Sequence, residues 1–189
     1  MVTSKRAERQ WDRANASYEN YLACIPRHRG RYRLTLSDLL HVRNFKGGNA
    51  SVHVPQRELS RKLECWSGHL RKLAQLCDGR ELRDLPSANL ARVQRVASAF
   101  LELVDAGPRT STGIFGFRAS HASVLLHTRF PDLLPILDSR VLKGSGIIQQ
   151  RRRAEAGDYP SLVDQCRREL RARPGVTMRE LDREFFVRG

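Results

Sequence analysis

TGIFGFRASHASVLLHTRFPDLLPILDSRV (residues 112–141) is the stretch whose reading decides the fold. Gly113 and Gly116 allow a sharp turn, with amide groups directed outward in a way that suits a phosphate. In the RASHASVLLH that follows, Ala119, Ala122, Leu125 and Leu126 fall at helical steps, which predicts a helix. TRFPDLLPI is then a loop bounded by Pro131 and Pro135, and Asp138 opens the next helix, SRVLKG. A carboxylate there has two readings: a cap on the helix N-terminus, or an acid at the lip of a pocket. The two are compatible, since a capping aspartate can still face a cleft.

Outward from this segment the pattern stays helical. Residues 4–24 offer Trp11, Tyr18, Tyr21 and Leu22 to one face, and a basic loop, PRHRGRYR, follows. TLSDLLHVRNF starts with the cap candidates Thr35 and Ser37 and carries Leu39, Leu40 and Val42. KGGNASVHVP breaks the pattern. QRELSRKLECWSGHLRKLAQLC repeats Leu59, Leu63, Trp66, Leu70 and Leu73 at three- and four-residue steps, a core face. SANLARVQRVASAFLELVDA ends before Gly107-Pro108, a strong stop. KGSGIIQQRRRAEAGDY reads as a basic, partly flexible stretch. Two further helices follow, the second with Thr177 and Glu180 at capping-box spacing and with Phe185 and Phe186 to tie it to the core. No repeat and no strand alternation is present. The expectation is an all-α, two-lobed bundle, with residues 34–139 as one lobe and 1–33 plus 140–189 as the other.

Composition narrows the function classes. A chain of 189 residues with 40% hydrophobic content is long enough for a packed core. No run approaches a membrane span, and the N-terminus lacks the apolar stretch of a signal peptide, so a cytoplasmic monomer away from membranes is expected. Thirty-four Lys and Arg against 20 acidic residues give a net charge of +14. Such an excess favours a polyanion, and duplex DNA is the expected partner. Only five of the 34 are lysine, a skew that suits planar phosphate recognition and that GC-rich coding also produces. Cys24, Cys65, Cys77 and Cys166 form no CxxC pair and have no histidine at zinc spacing, so reduced, mostly buried thiols are expected, with no metal and no cofactor.

GIFGFRASHASVLL, FPDLLP and LDSRV together resemble the helix-hairpin-helix DNA glycosylase superfamily, of which endonuclease III is a familiar member. In that family a glycine-containing hairpin, an apolar helix, a proline-bearing loop and an aspartate follow in this order. The resemblance covers about residues 34–150 and is specific within 112–146. It departs at Arg118, where the hairpin has its second glycine, and at Ser139 and Arg140, where a threonine and a histidine follow the aspartate. No cysteine cluster follows either.

The resemblance implies a DNA N-glycosylase in which Asp138 stabilises positive charge on the sugar and aligns or deprotonates water. Lyase-coupled members carry a catalytic lysine eighteen residues before the aspartate. That position here is Ser120, which cannot form a Schiff base, so the implied enzyme is monofunctional and leaves an abasic site. Ser120, His121 and His127 are candidates for the base pocket or its support, the histidines being equally readable as packed residues. Gly113, Gly116, Phe117 and Arg118 are the hairpin's expected DNA contacts. Phe45 is a candidate intercalating wedge, with Lys46, Gly47 and Gly48 on phosphates, in what is otherwise an ordinary glycine-rich loop. Arg140, Arg151, Arg152 and Arg153 complete the expected backbone contacts. The alternatives are a non-catalytic DNA-binding protein of the same architecture and a helical partner-binding protein with an incidental basic surface.

Overall fold

The computed structural model describes residues 5–25, 30–47, 50–77, 79–150 and 153–189. Among these it is all-helical, without strands: α1 (Lys5–Cys24), α2 (Leu36–Lys46), α3 (Gln56–Cys77), α4 (Ser87–Asp105), α5 (Ala119–Arg129), α6 (Ser139–Gly144), α7 (Tyr159–Ala172) and α8 (Met178–Arg188), with two short 3-10 turns. The expected apolar faces are buried on α3 and α4, and in part on α1 and α2. Leu59, Leu63, Trp66, Leu70 and Leu73 of α3 join Val93, Ala97, Phe100 and Leu101 of α4 in a continuous core that reaches Phe185 of α8. On α2, Leu39 and Val42 are buried and Leu40 is exposed, because residues three apart share a helix face and adjacent ones do not. Leu22, in the last turn of α1, is exposed as well.

Caps set several boundaries. Asp38 accepts from the Thr35 amide (2.6 Å) and hydroxyl (2.9 Å), and Glu180 does the same for Thr177 (2.8 Å each). At the other end of α2, Gly47 takes φ +67°, which stops the helix and leaves Lys46 in its last turn.

Three buried polar connections position the helices around α2. Arg129, at the end of α5, is 1% exposed; it pairs with Asp38 and donates through Nε to the Arg31 carbonyl (2.6 Å). The Tyr21 hydroxyl of α1 donates to the same Asp38 carboxylate (2.8 Å). Burial raises the Tyr21 phenol well above its ordinary range, so it remains a donor. A carboxylate holding a guanidinium and a phenol thus locks α1, α2 and α5 together.

No helix among the described residues is long and apolar enough to cross a membrane. The thiols divide evenly rather than being mostly buried: Cys77 and Cys166 are buried, Cys24 and Cys65 exposed, all four free.

Candidate functional site

Asp138 caps α6. Its Oδ1 accepts from the Arg140 amide at 2.9 Å, and its Oδ2 lies 3.1 Å from Lys46 Nζ. Lys46 also donates to the Leu137 carbonyl at 3.3 Å, so the end of α2 is fastened to the residues that open α6. Behind them Ser123 of α5 accepts from the Leu137 amide at 2.8 Å and donates to the Ser120 carbonyl, which fixes the chain just ahead of the carboxylate.

Asp138 stands in the wall of an open cavity of about 260 Å³ between α1, α2, α6 and α8. Trp11, Phe45 and Phe186 give it aromatic walls, with Trp11 and Phe186 ring centroids 5.6 Å apart; Lys46, Arg140 and Asp182 give it charge. The volume lies just under the roughly 300 Å³ at which drug-sized pockets begin. α1 and α8 are held over this space by Arg179. Its guanidinium lies 4.1 Å from the Trp11 ring and 4.3 Å from the Tyr18 ring, bonds Asn15 Oδ1 (2.8 Å), and pairs with Asp182 Oδ2 (2.7 Å). Burial pushes the Asp182 carboxyl up to about 6, against the lowering effect of Arg179 and Lys46.

The loop between α4 and α5 (residues 106–118) is braced from behind by α3. The buried Lys62 ammonium donates to the carbonyls of Gly113 (2.7 Å) and Thr110 (2.9 Å), and Trp66 Nε1 donates to the Thr112 carbonyl (3.1 Å). Gly113 is forced to be glycine: a Cβ there would sit 1.9 Å from the Gly107 carbonyl oxygen. Gly116 takes φ +76°. Phe115, between them, is the exposed aromatic at 52%, whereas Phe117 is fully buried against Trp66.

The residues singled out from sequence separate on this geometry. Asp138, Lys46, Phe45 and Arg140 converge on the cavity. Phe45 forms part of its wall, packed toward Tyr18 at 6.2 Å between centroids, rather than standing out as a wedge. Ser120 and the two histidines do not line it. His127 is fully buried, its Nδ1 donating to the Leu134 carbonyl (2.7 Å), and burial lowers it to about 3. His121 accepts the Arg118 amide on Nδ1 at 3.3 Å, and burial, then Lys46 and Arg118, lower it to about 4. Both are neutral core groups at physiological pH.

The expected phosphate amides are partly spent inside the protein. Gly47 N–H bonds Arg43 O, Gly113 N–H bonds Thr110 Oγ1, and Phe117 N–H bonds Ile114 O. Phe117 offers no side chain to a partner. Arg118 and Arg153 both reach Asp105, at 3.5 and 2.9 Å, and remain largely exposed. Gly48, Arg151 and Arg152 lie outside the described residues. Among the described residues no cluster of His, Cys, Asp and Glu could hold a metal ion.

Sequence reasoning missed Trp11, Asp182 and Phe186 as cavity residues, Phe115 as the exposed ring of the loop between α4 and α5, and Lys62 as that loop's anchor. No protein family, curated protein or solved structure matches the chain.

Proposed function

We propose that the chain is a base-excising DNA glycosylase of the helix-hairpin-helix type, monofunctional, with Asp138 as its catalytic carboxylate and the residues 106–118 as its DNA-gripping hairpin. The observation that carries this reading is the placement of Asp138 in the wall of an aromatic cavity rather than on a convex surface. An extruded base would enter between Trp11, Phe45 and Phe186, bringing its sugar to the carboxylate. There the negative charge offsets the positive charge that develops on the sugar as the glycosidic bond breaks, and orients water for attack. The net charge of +14 supplies the electrostatic attraction to the duplex, and Phe115 gives the hairpin an apolar side chain to press against bases.

Lys46 bears on the reaction type. Ser120 leaves no amine at the family position, yet Lys46 brings one to Asp138 from a different helix. It pairs with that carboxylate and with the Leu137 carbonyl, and in this reading it positions Asp138 for hydrolysis.

A second reading has its own observation. Both carboxylate oxygens of Asp138 are already engaged, by the Arg140 amide and by Lys46. That arrangement also suits a DNA-binding protein in which the carboxylate has become structural. The two are separated by incubating the protein with a panel of duplexes carrying damaged and modified bases, followed by hot alkali. Strand breaks at one class of lesion support excision. Salt-dependent duplex binding with no breaks on any lesion supports the binding protein, and no binding at low salt removes DNA from both.

A further inference from the structure

α3 and α4 leave an open groove of about 430 Å³ that shares no residue with the cavity around Asp138. Its walls are Lys72, Gln75 and Leu76 from late in α3, and Asn89, Arg92 and Val96 from early in α4, so the two helices run antiparallel along it. Leu76 and Val96 are half-buried, packed against the core, and form an apolar floor. Lys72 and Arg92 stand exposed, one from each helix. No acid lines the groove, and among the described residues neither cation has a carboxylate partner. Arg71, next to Lys72, differs, since it holds Glu64 at 2.6 Å. Arg95, one turn on from Arg92, is exposed and likewise unpaired among the described residues, and it extends the positive rim.

The lining covers residues 89–96 of α4, roughly 10 Å of axis or two helical turns. An apolar floor between cationic rims, at helical spacing on both walls, matches an amphipathic helix laid in a groove. The apolar face of such a helix rests on Leu76 and Val96, and its acids meet Lys72 and Arg92. Duplex phosphates would use the same cations but gain nothing from an apolar floor. The groove also lies away from the proposed DNA-gripping loop. Lys62 holds residues 110–113 at its own level of α3, and Lys72 is ten residues, roughly 15 Å, further along that helix.

We propose that the groove between α3 and α4 is a docking site for an acidic amphipathic helix of a partner protein, gripped by Lys72 and Arg92 and seated on Leu76 and Val96. The site is independent of base excision and serves equally a chain that excises bases or one that only binds DNA.

Fluorescence anisotropy tests it with two fluorescein-labelled acidic peptides of about four helical turns, titrated with the full chain at physiological ionic strength. One peptide carries its leucines on a single helix face flanked by glutamates; the other has the same composition with the leucines scattered round the helix. The expected result is saturable binding of the first, and binding weaker by about tenfold or more for the second. Lys72→Glu combined with Arg92→Glu should weaken the first peptide by about tenfold or more. Arg57→Glu combined with Arg61→Glu removes the same charge from exposed positions of α3 outside the groove, and should change that affinity by less than about threefold. Should the groove double variant fail to fold, Lys72→Gln and Arg92→Gln, each singly, should still weaken the first peptide more than Arg57→Gln does. No saturable binding, equal binding of the two peptides, or equal losses in the two double variants overturns the proposal. Duplex DNA that binds the wild type and is lost by the groove variant, while neither peptide binds, makes the groove a nucleic-acid contact and overturns it too.

Discussion

Lys62→Met is the perturbation that asks most of the fold. Methionine keeps an unbranched apolar stem in a position that is 0% exposed, but it removes the ammonium that holds the Gly113 and Thr110 carbonyls. A buried carbonyl stripped of its donor costs about 1–3 kcal/mol, and the Gly113 carbonyl, the more deeply buried of the two, belongs near the top of that range. Thr110 lies at the surface, where water can replace the amine, so its share is small. The lost pair with Glu58, itself 43% exposed, adds little, and releasing an ammonium from the interior recovers part of the total. The net expectation is a loss of about 2–3 kcal/mol. For a chain of this length that lowers the melting temperature by roughly 4–12 °C. Thermal unfolding followed by circular dichroism measures it, and on the proposed DNA-binding reading duplex affinity should fall in parallel as the loop between α4 and α5 loosens. A melting temperature within about 1 °C of wild type would refute the argument that Lys62 holds the loop between α4 and α5.

The two buried histidines predict acid sensitivity. Their folded values of about 4 and 3 lie below the ordinary 6.5, so the unfolded chain takes up protons first; the stability they contribute is complete above pH 6.5 and is lost as pH falls. Asp182, raised from 3.8 to about 6, acts in the opposite sense, favouring the fold as pH drops through 6. Two histidines against one aspartate leave a net loss of about 1.4 kcal/mol per pH unit between pH 6 and 4, measurable by urea unfolding, and stability that rises on acidification would contradict it. Gly113→Ala should unfold the loop between α4 and α5 or fail to give soluble protein, whereas Gly116→Ala, strained only by its positive φ, should cost about 1–2 kcal/mol in the same assay; equal effects would sink the close-approach argument. Borohydride should trap no covalent adduct between the protein and abasic-site DNA. An adduct that disappears in Lys46→Gln would instead make the Lys46 amine a nucleophile.

Much of the fold was legible because helices announce themselves locally. The three- and four-residue leucine steps around Trp66, the Thr35 and Thr177 caps, and the Gly107-Pro108 stop all act within a few residues of one another. Asp138 was legible for the same reason, since a lone carboxylate before SRVLKG is a cap whatever else it does. The cavity was not. Trp11, Asp182 and Phe186 come from opposite ends of the chain and meet because Arg179 bridges α1 and α8, a contact with no local signature. Lys62 was hidden by its type. It lies on the apolar face of α3 beside Leu59 and Leu63, where a lysine reads as a helix-edge charge until its carbonyl partners in residues 110–113 are seen. The exchange of roles between Phe115 and Phe117 likewise turns on the Gly116 backbone rather than on any spacing of the two rings.

Asp138→Asn bears most directly on the central claim. The amide can still accept from the Arg140 backbone N–H, so α6 keeps its cap, but it cannot offset charge on the sugar. With the duplex that the lesion panel identifies, single-turnover base release should fall by at least about 100-fold, a loss of roughly 2.7 kcal/mol of transition-state stabilisation. Duplex affinity at the same salt should stay within about threefold of wild type. An Asp138→Asn protein that binds as before and releases base at the wild-type rate would show that this carboxylate is a helix cap and nothing more.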